Sequence, residues 1–276
     1  MGLAIGLAVL TAGCGPNKPP RIPYATYQAG FQNKLVQTGP SPQTFDTLKL
    51  TEKMKWVSYS SEQGELKGVL CYPQKNRKSY RGMVYLHQGH ALTQADLSAI
   101  KPFLDASYVV FLPTFRGEQG NPGTFEMFLG EVDDAVAATN WLRDQTDINS
   151  NEVFVFGHSS GGALASLLSL RDDVPMQLSG SCNGLFYDRY SGWRYIAPYD
   201  QTDTTQAIMR QFVGFGPDMK QRHLAFIGKQ DAYFSYGWDI LLEEAEDSPN
   251  LTIKQVKGDH FTSLDPAIRA FLKAVK

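Results

Sequence analysis

Residues 153–165 read VFVFGHSSGGALA and predict a strand, a tight turn and a helix in succession. The first four residues alternate valine and phenylalanine, which is typical of a strand buried on both faces. Gly157, Ser159 and Gly161 then form a Gly-x-Ser-x-Gly pattern, and small residues and leucine continue as a helix. Glycines on either side allow a turn tight enough to strain the serine and expose its hydroxyl above the sheet. The stretch predicts a reactive Ser159, and the alternative is a Gly/Ser-rich loop that only turns the chain.

The rest of the chain alternates strand patterns with helix patterns. Predicted strands cover residues 54–60, 65–72, 82–86, 108–113, 153–156, 176–181, 223–227 and 251–256. Predicted helices cover residues 91–106 with an interruption at Pro102, 125–144, 163–170, 236–245 and 266–275. Such alternation favours parallel strands joined by crossover helices. The predicted fold class is therefore α/β, with a mainly parallel sheet covered by helices on both faces.

A reactive serine needs a histidine base and a carboxylate that orients the imidazole. In an open parallel sheet such groups collect where the strands end, at the C-terminal edge. His260 follows the last predicted strand and Asp231 follows the strand before it, whereas His223 begins a strand and belongs at the opposite edge. His158 lies inside the turn and is expected to point away from the reacting face. The order Ser159, Asp231, His260 is the chain order of the α/β-hydrolase fold.

Two main-chain N–H groups are expected to bind the oxyanion that such chemistry generates. One belongs to Ser160, directly after the serine, and the other to the loop after the third strand. In that loop Gly89 is the favoured donor and Gln88 the alternative. His87 and His90 could also be interpreted as metal ligands, but no third histidine or carboxylate cluster accompanies them. The sequence therefore predicts neither a metal nor a cofactor.

Six segments carry a family pattern: YLHQGH (85–90), FLPTFRGEQG (111–120), GEVDDAVAA (130–138), FGHSSGG (156–162), GKQD (228–231) and GDHF (258–261). Together they resemble the catalytic domain of prolyl oligopeptidase-like serine hydrolases, the dipeptidyl aminopeptidase and acylaminoacyl peptidase type, over about residues 54–276. The resemblance implies the same Ser159, Asp231 and His260 triad. It also places Arg116 near the site as a structural or substrate-orienting residue, with an ion pair to Asp133 or Asp134 as the alternative.

The resemblance implies a substrate class as well. The large peptidases of the family carry an N-terminal propeller that selects peptides, whereas about 50 residues precede the hydrolase domain here. Short relatives often act as esterases, so a carboxylic ester is the leading expectation and a small peptide or aminoacyl substrate is the alternative. A further alternative is a non-catalytic binding lipoprotein that retains the scaffold, because a fold alone does not guarantee a function.

Residues 185–222 are longer than a connection between two strands requires, and they are rich in aromatic residues. A crossover helix with a small lid would explain both features. Tyr187 and Trp193 are accordingly possible substrate-binding residues, together with Gln88 and Arg116. Packing of the lid onto the domain is an equally good explanation of the aromatic residues.

The N-terminus reads MGLAIGLAVLTAGC over residues 1–14, an uncharged apolar run that fits a secretion signal. Its end resembles a bacterial lipobox, which implies lipidation of Cys14 and a membrane-anchored protein of the cell envelope. A plain signal peptide with secretion and a disordered leader are the alternatives. Residues 15–50 hold several prolines and predict a tether or N-terminal arm, and residues 51–276 the hydrolase domain.

Composition limits the remaining classes. The formal net charge is −2, from 26 basic and 28 acidic residues, so no basic surplus points to a nucleic-acid partner. Besides Cys14 the chain has Cys71 and Cys182, both in predicted strands. An oxidising compartment would permit a disulfide between them, but buried free thiols are the commoner outcome at such positions.

Overall fold

One eight-stranded sheet organises the computed structural model, which describes residues 22–45, 47–184, 194–231 and 238–275. Its strands are β1 Met54–Ser61, β2 Gly64–Cys71, β3 Tyr80–Leu86, β4 Tyr108–Pro113, β5 Ile148–His158, β6 Leu178–Cys182, β7 His223–Gly228 and β8 Leu251–Val256. Their order is β1-β2-β4-β3-β5-β6-β7-β8. β2 pairs antiparallel with β1 and β4, and every pair from β4 to β8 is parallel. The predicted, mainly parallel sheet is confirmed.

Helices cover both faces of this sheet because the central strands are apolar on both sides. The α-helices are α1 Tyr24–Gly30, α2 Gln94–Ala99, α3 Lys101–Asp105, α4 Gly130–Arg143, α5 Ser160–Leu168, α6 Thr204–Ile208, α7 Trp238–Glu246 and α8 Leu264–Ala274. Val153 and Val155 of β5 join a core with α4, α5 and α7, while Phe154 and Phe156 join a second core with α2, α3 and α8. The alternation of side chains along a strand thus builds two cores.

α4 begins five residues later than the sequence predicts. Met127 and Phe128 adopt the left-handed region, with φ of 56° and 67°, so the helix cannot extend back through them. The carboxylate of Glu131 instead accepts the N–H groups of Glu126 at 2.7 Å and Leu129 at 3.2 Å. The apolar spacing alone does not reveal this compact turn.

The predicted helix over residues 91–106 is divided into α2 and α3. The break falls at Ile100, and Pro102 occupies the second position of α3. A proline is tolerated there because the first helical N–H groups have no partner within the helix. The sequence predicts an interruption at Pro102, whereas the structure places this proline at the start of a helix.

The N-terminal arm packs against the body from residue 22 onward. The Tyr24 ring meets the Phe215 ring edge-on at 5.0 Å between centroids. The Gln206 side chain donates to the main-chain oxygen of Gln32 at 2.7 Å. Residues 22–45 therefore form an arm with specific contacts, whereas residues 1–21, including Cys14, lie outside the described residues.

Residues 194–222 contain α6 and a short 3-10 helix at Gly216–Asp218, on the side of the core that holds α4 and α5. Tyr199 is buried there with the Arg210 guanidinium 4.1 Å from the centre of its ring, whereas Tyr195 is exposed. Packing onto the domain therefore explains why an aromatic side chain stands at Tyr199. Tyr187 and Trp193 lie outside the described residues.

Both described cysteines, Cys71 in β2 and Cys182 in β6, are buried free thiols. Burial raises the pKa of each to about 12, which keeps the thiols protonated and unreactive at neutral pH. Within the described ranges, no helix has both the length and the apolar content that a bilayer span requires.

Candidate active site

The turn from β5 into α5 holds Ser159 in a strained conformation. Its φ is 54° and its ψ is −117°, a region that costs a non-glycine residue about 1–3 kcal/mol. A Cβ atom at Gly157 would lie 2.0 Å from the Gly161 oxygen, and one at Gly161 would lie 2.0 Å from the Leu86 oxygen. Both glycines are therefore required by backbone contacts, as the sequence predicts.

Asp231 and His260 meet Ser159 at the C-terminal edge of the sheet. His260 Nε2 lies 3.0 Å from Ser159 Oγ, and His260 Nδ1 lies 2.8 Å from Asp231 Oδ2. The Asp231 side chain is fully buried, and His260 keeps 16% of its side chain exposed. Because the carboxylate can only accept, Nδ1 carries the proton and Nε2 presents its lone pair to the hydroxyl. The structure thus brings together the three residues that the sequence analysis selected.

His158 packs against His260. The sequence predicts instead that the His158 side chain points away from the site. Its Nε2 donates to the main-chain oxygen of His260 at 2.8 Å, and the two rings are 5.4 Å apart between centroids. Burial lowers the pKa of His158 to about 4, so the ring is neutral near pH 7. A neutral neighbour adds no repulsion when His260 accepts a proton.

Asn183, directly after β6, is a further support that sequence reasoning missed. Its Nδ2 donates to the His260 oxygen at 2.9 Å and to Ser263 Oγ at 2.7 Å. Its Oδ1 accepts the N–H of Gly228 at 2.8 Å, at the turn that leads to Asp231. One buried side chain thereby joins the loops that carry the acid and the base. The signal in the sequence is a polar residue directly after a strand. Asparagine tolerates the left-handed conformation that the structure shows there, with φ of 48°.

The loop of residues 87–90, called the oxyanion loop below, lies against the start of α5. Ser160 Oγ donates to the Gly89 oxygen at 2.7 Å. The N–H of Gln88 points to Asp96 Oδ1 at 3.3 Å, which favours Gly89 over Gln88 as the donor for an oxyanion. Gly89 has φ of 68°, a conformation that glycine adopts without strain.

His87 forms a buried ion pair beneath this loop. Its Nε2 lies 3.0 Å from Glu118 Oε2 and its Nδ1 lies 3.0 Å from the Gln88 oxygen, so both ring nitrogens face acceptors. Although burial alone lowers it, the pKa of His87 rises to about 9 because Glu118 is adjacent. Both nitrogens of His87 are thus occupied, and the part of the chain that the structure describes holds no cluster of three potential metal ligands.

Arg116 is part of a buried ion-pair network in the framework of the protein. Its Nε and Nη2 each lie 2.9 Å from the Asp134 carboxylate, and its Nη1 lies 3.0 Å from Glu126 Oε1. The side chain is 5% exposed. The ion pair predicted as the alternative for Arg116 is present, with Asp134 as the partner, while Asp133 binds Arg171 at 2.7 Å.

The chain is similar to known families and proteins. The model of the α/β hydrolase fold family matches residues 126–267, and the model of the X-Pro dipeptidyl-peptidase (S15) family matches residues 25–195. An uncharacterized peptidase of Bacillus subtilis is 24% identical over 200 residues, which is 72% of this chain and 74% of that protein. Lipase 6 of Candida albicans is 27% identical over 137 residues, 50% of this chain and 27% of the lipase.

Solved structures share the fold at low sequence identity. An esterase of Pyrococcus furiosus has a TM-score of 0.64 at 15% identity, over 87% of this chain and 96% of the esterase. The acylaminoacyl peptidase of Pyrococcus horikoshii has a TM-score of 0.63 at 15% identity, over 81% of this chain and 40% of the peptidase. The matched region therefore covers nearly all of the esterase but less than half of the peptidase.

Proposed function

Since this chain belongs to the α/β-hydrolase fold family, we propose that it is a serine hydrolase of carboxylic esters, with Ser159, His260 and Asp231 as its catalytic triad. The observation that carries the proposal is the unbroken hydrogen-bond path from Asp231 Oδ2 through the imidazole to Ser159 Oγ. Acyl transfer needs a strained serine, a base whose unprotonated nitrogen faces it and a buried carboxylate behind that base.

The reaction proceeds through an acyl-enzyme. His260 Nε2 takes the Ser159 proton as Oγ bonds to the ester carbon, and the carbonyl oxygen becomes the oxyanion. The N–H groups of Ser160 and Gly89 bind that oxyanion, and one such donor is worth about 3 kcal/mol in the transition state. Collapse breaks the ester C–O bond, and Nε2 returns the proton to the leaving alcohol. Water, activated by the same nitrogen, then releases the acid and restores Ser159.

The likeness to a whole esterase supports an ester as the substrate, because the chain spans 96% of that protein. Gln88, half-buried in the oxyanion loop, lies beside the proposed acyl site and is proposed to contact the substrate. A small peptide or aminoacyl substrate is the second candidate. It is supported by the match of residues 25–195 to the X-Pro dipeptidyl-peptidase model and by the Bacillus subtilis relative.

A fluorophosphonate probe tests the mechanism, because it is attacked only by an activated serine. The wild-type protein should be labelled and Ser159→Ala should not, whereas Ser98→Ala, which changes a surface serine of α2, should keep full labelling. Folded wild-type protein that resists the probe would contradict the proposal and favour a binding role. Hydrolysis of p-nitrophenyl esters of graded length, compared with aminoacyl anilides, separates the two substrate classes.

We also propose that Cys14 carries a lipid that attaches the protein to a membrane of the bacterial cell envelope. Support comes from the apolar run that ends in LTAGC at residues 10–14. Cells fed an alkynyl fatty acid should incorporate it into the wild type and into Cys71→Ala, which alters a buried cysteine, but not into Cys14→Ala. Equal labelling of Cys14→Ala would exclude the anchor, and unlabelled protein in the medium would indicate secretion.

A further inference from the structure

A short part of the N-terminal arm, residues 39–43, crosses the oxyanion loop and holds it by the main chain. Gln43 Oε1 accepts the N–H of His90 at 2.9 Å. The Ser41 hydroxyl donates to the main-chain oxygen of His90. Both main-chain polar groups of the residue after Gly89 are therefore bound by the arm.

The crossing segment is itself fixed to the loop that follows β4. The N–H of Phe125 donates to the Gly39 oxygen at 2.9 Å, and the N–H of Ser41 donates to the Gly117 oxygen at 2.9 Å. The arm thus connects two loops at the C-terminal edge of the sheet. Because the backbone of residues 39–43 is held by these bonds, the segment can in turn restrict the motion of the oxyanion loop.

Gly89 is consequently constrained from two sides. Its carbonyl oxygen accepts the Ser160 hydroxyl at 2.7 Å, from the start of α5. On the other side, Gln43 Oε1 comes so close that a Cβ atom at Gly89 would lie 2.5 Å from it. These bonds hold the peptide plane between Gly89 and His90 from both sides. The Gly89 N–H lies in the preceding peptide plane, and its direction relative to the held plane is set by the φ of Gly89, which is 68°.

We propose that Gln43 is a positioning residue of the oxyanion hole: through His90 it holds the Gly89 N–H in the direction that binds the oxyanion. This inference rests on the proposed function. Oxyanion donors act because they are oriented before the reaction, and a displacement of about 1 Å can cost on the order of 100-fold in rate. The arm is thereby a part of the catalytic machinery and more than a connection to the N-terminus.

Kinetics of the full chain carrying Gln43→Met test this proposal, since methionine keeps the length of the side chain and removes the acceptor. The kcat for p-nitrophenyl acetate should fall by about 10- to 100-fold with KM within twofold, because the oxyanion exists only in the transition state. The rate of inactivation by a fluorophosphonate should fall in parallel, since its phosphoryl oxygen occupies the same hole. Ser41→Ala should lower the same two rates.

Gln94→Met is the matched control. Gln94 Oε1 accepts the N–H of Lys49 at 2.9 Å, so it too binds the N-terminal segment to the body, but outside the site. We expect its kcat to stay within twofold of the wild type. A kcat of Gln43→Met within twofold of the wild type, or a loss matched by Gln94→Met, would overturn the inference. Failure of the proposed function looks different, because Ser159→Ala would then hydrolyse the ester as fast as the wild type.

Discussion

Replacing Asn183 with alanine should disorder the base and weaken the C-terminal edge of the sheet at once. The side chain donates to the His260 oxygen at 2.9 Å and to Ser263 Oγ at 2.7 Å, and it accepts the Gly228 N–H at 2.8 Å. After truncation, the His260 oxygen keeps the bond from His158 at 2.8 Å. The Gly228 N–H loses the acceptor that Asn183 supplies, in a strand that is buried along its whole length.

The size of the effect follows from these contacts. A buried N–H without an acceptor costs about 1–3 kcal/mol, and the lost bonds to His260 and Ser263 contribute about 1 kcal/mol each. The free energy of unfolding should therefore fall by roughly 3–5 kcal/mol, which lowers Tm by roughly 5–9 °C in a chain of this size. With one support removed, the His260 imidazole can move away from Ser159, and kcat should fall by about 100-fold.

Urea unfolding and ester hydrolysis measure the two consequences separately. The matched control is Asn140→Ala in α4, where the side chain donates to the Val136 oxygen of its own helix, at 3.1 Å. The free energy of unfolding of that variant should fall by less than about 1 kcal/mol, and its kcat should be unchanged. Equal stabilities of the Asn183 and Asn140 variants would refute the reasoning on burial. An unchanged kcat of the folded Asn183→Ala protein would refute the positioning of His260.

Two further perturbations test the turn and the buried ion pair. Gly157→Ala should abolish esterase activity and destabilise the protein by a few kcal/mol, since its Cβ would lie 2.0 Å from the Gly161 oxygen. Gly30→Ala is the control, because a Cβ atom at Gly30 would have no neighbour within 4 Å. Melting and activity assays should show no change in the stability or the activity of that control. The folded state raises the pKa of His87 to about 9 and therefore favours the protonated ring. The resulting stability is complete below about pH 6.5 and is lost as the pH rises through 9. Urea unfolding at pH 6 and pH 9.5 should show this decline in the wild type, and a Glu118→Gln protein that declines as steeply would contradict it.

The fold and the three reacting residues could be predicted because their signals are local. The Val/Phe run before Ser159 indicates a buried strand, and the flanking glycines indicate the tight turn. Asp231 and His260 follow because polar residues at the ends of late strands must meet at one edge of a parallel sheet. Each step needs only periodicity, turn chemistry and the order of the elements along the chain.

Local patterns along the chain thus predict the α/β sheet, the strained Ser159 and the order in which Asp231 and His260 follow it. The contacts that hold these residues are visible in the folded protein alone: Asn183 lies between two loops, Gln43 lies over the oxyanion loop, and Arg116 pairs with Asp134. Sequence patterns miss these bonds because they join segments that are distant along the chain. Their partners are set by how the loops pack above the sheet, and no periodicity along the chain records that packing.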